Sequence, residues 1–392
     1  MSASQTPIFA DVTRLVRRHI GGIQHSGIDR VNVEYARWVN RIGGGLCVKR
    51  GSQIKQLNGK HWPGLLVGEI SSGEGAKNRL RRAAILLATL LPRHTVPKES
   101  RIFVSTHSWL AKKEVWNQVQ HNEYKSYVFI HDLIPIDYPE YSHPREKRLH
   151  ALRLENTLRR SAAIIVNSRC TEGGVRRFAV ENNLPTPPII VAPLGYKLPN
   201  PTQASDSDPR IKSPYFLFLG TIEARKNHLL LLNLWRDLAH RLGAETPKLV
   251  IAGRRGWECE QVLDLLDRCE AIRPHVIELN DANDHAIAAL IRGSRALLLP
   301  SFAEGFGMPV QEALALGTPV ICSPLPAIRE FAGDIPDYAE PLDGARWRDL
   351  ILEYTRPDSE LWVAQKLRLP EFQDTTWENH FKMVQNCLMN SA

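Results

Sequence analysis

Two doubly wound α/β domains, each a parallel sheet covered by helices on both faces, are the architecture this sequence predicts. Three observations carry that reading. Short continuous apolar runs alternate with helix-like patterns along most of the chain, which is how strands buried on both faces of a parallel sheet read. One polar stretch rich in Pro, Ser and Asp, residues 199–213 (PNPTQASDSDPRIKS), interrupts the alternation and reads as a linker. The length of 392 residues, 43% hydrophobic and 23% charged, suits two soluble domains with full cores.

Before the linker the strand-like runs are 102–106, 127–130, 163–166 and 189–191; after it they are 215–220, 248–253, 276–279, 296–300 and 319–322. The domain reading is therefore 1–198, a linker at 199–213, and 214–374. Ligands are expected beyond the carboxyl ends of the strands, facing a cleft. A helix from about residue 376 to 388 carries Trp377, Phe381 and Val384 at helical spacing. There is no internal repeat and no run approaching the roughly twenty apolar residues that span a bilayer.

The most informative segment is 299–324, LPSFAEGFGMPVQEALALGTPVICSP. It reads as a strand end, a glycine-rich loop, a short helix and a second strand. Pro309 suits a first helical turn and Gly317 a left-handed residue just past the helix end. Gly305, Phe306 and Gly307 then present backbone amides at a helix N-terminus, where an anion is favoured. Glu304 precedes that site and Glu312 follows it. One ligand that uses both carboxylates is a nucleotide-sugar, with its diphosphate on the amides and vicinal hydroxyls on either side. The plainer alternative is a simple turn with a glutamate in the following helix.

With its continuation PLPAIREFAGD, the segment resembles the signature of the retaining glycosyltransferases of family four, whose fold is GT-B. The family pattern runs roughly PS-x-x-EGFG-x-P-x-x-E-A-x-A-x-G-T-P-V, then E-x-x-GD. This chain keeps nearly every fixed position, ending in Glu330, Gly333 and Asp334. The resemblance is strongest over residues 215–334 and implies a donor-binding domain at 214–374. It also implies an acceptor-side domain at 1–198, to which the C-terminal helix at 375–392 crosses back.

The stretch 215–229, YFLFLGTIEARKNHL, resembles the family's G-x-x-x-x-(R)KN element, where the basic pair binds the donor diphosphate. Arg225 and Lys226 following the Gly220 turn would stabilise the charge of a diphosphate leaving group; a solvated helix start is the alternative. Many family members place Arg directly after the glycine, and here that position is Thr221. In FIHDLIPIDYP, the resemblance puts His131 beside the donor sugar and Asp132 in support. His107, in VSTHSW, follows another strand and is an acceptor-side candidate. Gly27, in HSGIDRV, precedes an apolar helix that Asp29 is placed to cap. The family's loop here packs on donor phosphate and acceptor, although the double glycine Gly21-Gly22 comes earlier. AGRRGW at 252–257 resembles a loop near the nucleotide, with Arg254 on base or phosphate or in a plain turn. Asn280 and its neighbours would face the base through backbone groups.

Residues 1–200 carry 30 Lys and Arg against 15 Asp and Glu, whereas residues 201–392 carry 20 against 27. The basic half is expected to meet an anionic membrane surface or a phosphate-linked acceptor rather than nucleic acid, for which no module signature is present. Residues 77–94, KNRLRRAAILLATLLPRH, read either as an interfacial amphipathic helix or as a core-facing helix with a solvated basic end. The six cysteines are scattered with no CxxC pair, so they read as reduced thiols and neither as disulfides nor as a zinc site. No signal-peptide pattern opens the chain. A cytoplasmic protein, peripheral on the inner face of the cytoplasmic membrane, is expected.

The resemblance thus implies a retaining glycosyltransferase moving a hexosyl unit from a nucleotide-sugar to a lipid-linked or polysaccharide acceptor. The HDLIPI and GTIEARKNH elements look most like bacterial mannosyltransferases of surface polysaccharide assembly, which favours GDP-mannose over a UDP- or dTDP-sugar. Glu312 would grip the ribose and Glu304 the donor sugar. Arg225, Lys226 and the amides of Gly305–Gly307 would hold the diphosphate. No acidic pair of Asp-x-Asp type stands within these motifs, so neither a metal nor a cofactor is expected. Two other readings are a GT-B sugar-nucleotide epimerase and a non-catalytic nucleotide-sugar-binding subunit of a polysaccharide assembly complex.

Overall fold

The computed structural model describes residues 6–23, 26–57, 94–197, 211, 214–373 and 375–390, with side chains up to 387. Backbone contacts divide the chain into two units, Met1–Leu194 with Trp377–Ala392, and Gly195–Thr376. The linker stretch and the basic segment at 77–94 lie outside the described residues, apart from Ile211 and His94.

The first unit is built on seven strands: β1 (Ile8–Asp11), β2 (Gly45–Arg50), β3 (Gln53–Leu57), β4 (Arg101–Val104), β5 (Lys125–Ile130), β6 (Ala163–Val166) and β7 (Ile189–Val191). Their order is β3-β2-β1-β4-β5-β6-β7. All pair in parallel except β3, which turns back on β2 as an antiparallel hairpin with Lys49 opposite Ile54. The expected purely parallel sheet is therefore corrected at this edge. The reason is local: Gly51 takes the left-handed conformation, φ +61°, which allows a tight reversal. β4, β5 and β6 are buried apart from the opening residues Arg101 and Lys125, and Trp109 and Trp116 pack beside them in one core.

The C-terminal helix Trp377–Asn390 belongs to this unit. Phe381 stacks on Trp38 at 4.7 Å between ring centroids, and Val384 is fully buried. His380 accepts the Tyr35 hydroxyl on Nε2 at 3.0 Å and donates from Nδ1 to the carbonyls of Ala192 and Pro193. Burial is the main force bringing this imidazole down to about 4.

The second unit has six parallel strands: β8 (Tyr215–Leu219), β9 (Lys248–Ala252), β10 (Val276–Leu279), β11 (Ala296–Leu299), β12 (Val320–Cys322) and β13 (Asp337–Tyr338). Their order is β10-β9-β8-β11-β12-β13. β8 (YFLFL) and β11 (ALLL) are buried throughout, as expected for central strands with helices on both faces. Trp235 and Trp347, both fully buried, fill the core around them. No helix among the described residues is long and apolar enough to cross a membrane.

In each unit the connections leave the first central strand toward one edge and later return to its other side. In the second unit this reversal falls between β8 and β11, which are paired neighbours. Loops beyond the carboxyl ends of such a pair diverge to opposite sides and leave a crevice.

Candidate active site at the strand reversal of the second unit

The chain leaves β8 through Gly220, whose φ of +145° is open to glycine but costly for other residues. A 3-10 turn over Ala224–Lys226 follows, then Asn227 in the left-handed region, then the helix His228–Leu242. This path carries Arg225 and Lys226 to the β11 side of the reversal. Lys226 is only 6% exposed. The alternative of a solvated helix start is thereby corrected: the ammonium is drawn inside because an anion is fixed there.

That anion is Glu304, in the loop after β11. Lys226 Nζ lies 2.6 Å from Glu304 Oε1, and Arg225 Nη1 lies 3.0 Å from Oε2. Ser301 Oγ donates to Oε1 at 2.8 Å. Arg225 also donates to the Ala303 carbonyl at 2.9 Å and pairs with Glu223 at 3.1 Å, while its own carbonyl accepts from Phe302 N. Burial alone would push the Glu304 carboxyl up. Lys226 and Arg225 outweigh it and bring it down to about 2, so the group is a carboxylate. Burial lowers Lys226, against which the Glu304 charge holds the proton on. His228, whose ring lies 4.0 Å from that of Phe218, is brought down to about 3 by burial and then by the Lys226 charge, and is neutral.

Close backbone packing holds the loop after β8 in place. A Cβ on Gly253 would stand 1.9 Å from the Gly220 carbonyl oxygen, and one on Gly256 2.4 Å from that of Ile222. Only glycines allow this approach. Ile222 N donates to the Arg254 carbonyl and Gly256 N to Ile222, zipping the loops after β8 and β9 together. Asn280, with its amide turned to satisfy both partners, donates to the Gly253 carbonyl at 2.9 Å and to Glu278 at 3.2 Å. Its side chain thus braces a loop.

Beyond Glu304 the helix Met308–Ala315 starts at Gly307, φ +97°, where a Cβ would meet Ile328 at 2.7 Å. Pro309 lies in its first turn and Gly317, φ +71°, past its end. Phe306 is buried against Phe331, ring centroids 4.8 Å apart. Glu312 is buried on the same helix. Gly305–Gly307 therefore precede a helix N-terminus, one turn from the two cations' carboxylate partner.

In the first unit the strand reversal falls between β1 and β4, and a buried polar network surrounds it. Asp11, at the end of β1, accepts from Thr13 N at 3.1 Å and from the Trp109 indole at 3.0 Å. Asn32 donates to the Asp11 carbonyl and to Ser105 Oγ, each at 2.8 Å. His131 is buried after β5 and donates from Nε2 to the Ser105 carbonyl at 2.9 Å; its own carbonyl accepts from Asn167. Its ring lies 5.7 Å from that of His107, which lies 5.0 Å from that of His150. Burial lowers all three imidazoles, so they are neutral. Asp132 accepts from Ile134 N, and its carbonyl accepts from His150.

Gly27 opens the helix Gly27–Arg41, but Asp29 does not cap it as expected. Ser26 is the N-cap, and the Asp29 carboxylate reaches back to Ser26 N at 2.7 Å in a capping box. From this third helical position Asp29 is also held by Arg14 at 2.6 Å and Arg18 at 2.8 Å.

Residues 201–335 match the family model described as glycosyl transferases group 1. The matched segment holds Arg225, Lys226 and Glu304. The chain is 28% identical over 275 residues to the O-antigen chain mannosyltransferase B of Escherichia coli, covering 66% of this chain and 68% of that relative. It is 26% identical over 265 residues to the serotype-specific mannosyltransferase WbdA of Escherichia coli, covering 60% of this chain but only 32% of that longer protein. Among solved structures, Anabaena Alr3699/HepE in complex with UDP-glucose superposes with a TM-score of 0.65 at 13% identity, over 98% of this chain and all of that one. The architecture is GT-B.

Within this matched segment the structure brings together Gly220, Arg225, Lys226 and Glu304, with Gly305, Phe306, Gly307 and Glu312 on the adjoining loop and helix. Arg254 joins them through its backbone. His131 and Gly27 stand in the first unit. Sequence reasoning passed over Ser301 and Glu223, which complete the ion cluster, and over Asp11, Asn32 and Ser105. Ser301 lay in plain view in the PS that opens the signature. Asp11 ends a four-residue strand too short to register as one.

Proposed function

We propose that this chain is a retaining mannosyltransferase that takes mannose from GDP-mannose and passes it to a lipid-linked or polysaccharide acceptor in surface polysaccharide assembly. The Lys226–Glu304–Arg225 cluster at a GT-B strand reversal is the observation that carries the reading, and the names of the O-antigen relatives support the sugar. Arg225, Lys226 and the amides of Gly305–Gly307 bind the diphosphate and stabilise it as the glycosidic bond breaks. Glu312 grips the ribose hydroxyls and Glu304 those of the sugar. The acceptor attacks from the face the leaving group vacates. Its hydroxyl proton passes to the departing phosphate oxygen, so the anomeric configuration is retained and no protein nucleophile is used. The two cations supply charge that a divalent ion would otherwise bring. The basic first half suits an acceptor held at an anionic membrane surface on the cytoplasmic side.

The test is a thermal-shift panel of GDP-mannose, UDP-glucose, UDP-GlcNAc and dTDP-rhamnose, run on the wild type and on Glu312→Ala. GDP-mannose is expected to raise Tm by mass action, and the variant to lose the shift. Product configuration from a GDP-mannose incubation reads out retention. His131→Ala is expected to lower turnover while keeping the donor shift. A shift with a UDP-sugar alone would replace the donor assignment, and no shift with any donor would remove the transferase reading.

A further inference from the structure

The cations that the reaction needs are already occupied. Lys226 and Arg225 both pair with Glu304, and Arg225 pairs with Glu223, so two positive charges face two negative ones. Glu304 Oε1 has in addition the Ser301 hydroxyl. A diphosphate entering beside an unmoved Glu304 would meet a like charge a few ångströms away in a water-poor site, where repulsion is strong. The carboxylate stands where an anionic ligand of these two cations would stand.

We propose that Glu304 is an internal competitor for the donor diphosphate: it neutralises Arg225 and Lys226 before the donor arrives and is displaced from them when the diphosphate binds. The inference rests on the donor-site reading above and adds a regulation of that same site. The displaced carboxylate needs hydrogen-bond donors, and the hydroxyls of a donor sugar supply them. Free nucleotide diphosphate lacks that sugar, and its ribose hydroxyls belong to Glu312. Glu304 therefore resists release of its cations to GDP more than to GDP-mannose, and after transfer it returns to Lys226 and helps expel the product. Gly305 and Gly307 beside it give the loop backbone the freedom for that movement; only Gly307, φ +97°, is already in a conformation other residues avoid.

Binding of GDP, inorganic pyrophosphate and GDP-mannose, measured by titration calorimetry on the wild type, Glu304→Gln and Ser301→Ala, tests this. Glu304→Gln removes the competing charge while keeping the side-chain shape. It is expected to bind GDP and pyrophosphate about tenfold tighter and to lose the wild-type preference for GDP-mannose over GDP. Ser301→Ala, which only loosens the resting position of Glu304, is expected to shift in the same direction by a smaller factor, and it decides the matter should Glu304→Gln fail to fold. Folded variants that bind GDP and pyrophosphate no tighter than the wild type would overturn the competition and leave the donor reading standing, provided the wild type binds GDP-mannose. Failure of all three proteins to bind any of the three ligands would overturn both.

Discussion

Lys226→Ala separates the contributions at the base of the site. The ammonium is buried 2.6 Å from Glu304, and its removal leaves that carboxylate buried with Arg225 at 3.0 Å and Ser301 at 2.8 Å. Breaking a buried pair by deleting one partner costs about 3–5 kcal/mol when the other is stranded. Arg225 still faces Glu304 here, and relief of the buried ammonium offsets part of the loss, so about 2–3 kcal/mol is expected at pH 7. For a domain of this size that lowers Tm by roughly 4–12 °C.

The pH dependence identifies the cause. In the wild type the Glu304 carboxyl falls from its ordinary 4.5 to about 2. The unfolded chain therefore binds the proton first. Stability from this group, about 3 kcal/mol by the size of the shift, is present above pH 4.5 and is lost as pH falls toward 2. Lys226 is the largest charge lowering that carboxyl, so in the variant the group titrates at higher pH. The gap between wild type and variant is then widest near neutrality, narrows between about pH 5 and 3, and closes only toward pH 2. Urea unfolding at pH 7, 5, 4 and 3 reads it directly. A gap that is absent at pH 7, or that stays constant across the series, would refute the pairing as the source of stability.

Gly253→Ala must move backbone, because the new Cβ would lie 1.9 Å from the Gly220 carbonyl oxygen; a loss of at least about 2 kcal/mol and of the GDP-mannose thermal shift is expected, checked by melting with and without donor. His380→Gln removes an imidazole that folding holds near 4 against its ordinary 6.5. Such a group subtracts stability as pH falls from 6.5 through 4, by up to about 3 kcal/mol, so the variant's melting temperature should decline less over that window than the wild type's. Asp29→Asn weakens the grip on Arg14, Arg18 and Ser26 N. It should cost about 2–4 kcal/mol and speed hydrogen exchange at the start of the helix Gly27–Arg41.

What the sequence discloses and what it hides divide along a physical line. The loop and helix from Ser301 to Gly317 could be read because each local requirement names its residue. Gly307 and Gly317 take positive φ, Pro309 fills a first turn, and the apolar run before them is a central strand. The pairing of Lys226 with Glu304 spans 78 positions, and apart from the resemblance of its motif nothing near Lys226 in sequence distinguishes it from a cation on a wet helix start. Burial is decided by the partner, and the partner arrives through the strand order. The same holds for Asp11, Asn32 and Ser105, whose types are common on surfaces and whose 0–1% exposure comes from strands and a helix distant in sequence. β1 and the β2–β3 hairpin were passed over for a different reason. The first is four residues long and ends in a charge, β2 offers only the three apolar residues Leu46–Val48 before two basic ones, and β3 mixes polar with apolar at the sheet edge.

The two strand reversals solve one problem with different chemistry. Polar groups gather at the carboxyl ends of central strands, where burial makes unpaired charge expensive. In the first unit most of the cost is avoided by neutrality: His107, His131 and His150 lose their protons to burial, and Asp11 is itself pushed upward by burial against the hydrogen bonds it accepts. In the second unit the charges are kept and balanced, Glu304 and Glu223 against Lys226 and Arg225. A neutral polar surface suits hydroxyl-rich ligands, which exchange hydrogen bonds without moving charge. A balanced ion cluster suits a charged ligand that can take over one side of the balance. A diphosphate is such a ligand, and the carboxylate it would replace is held by the same two cations, at 2.6 and 3.0 Å.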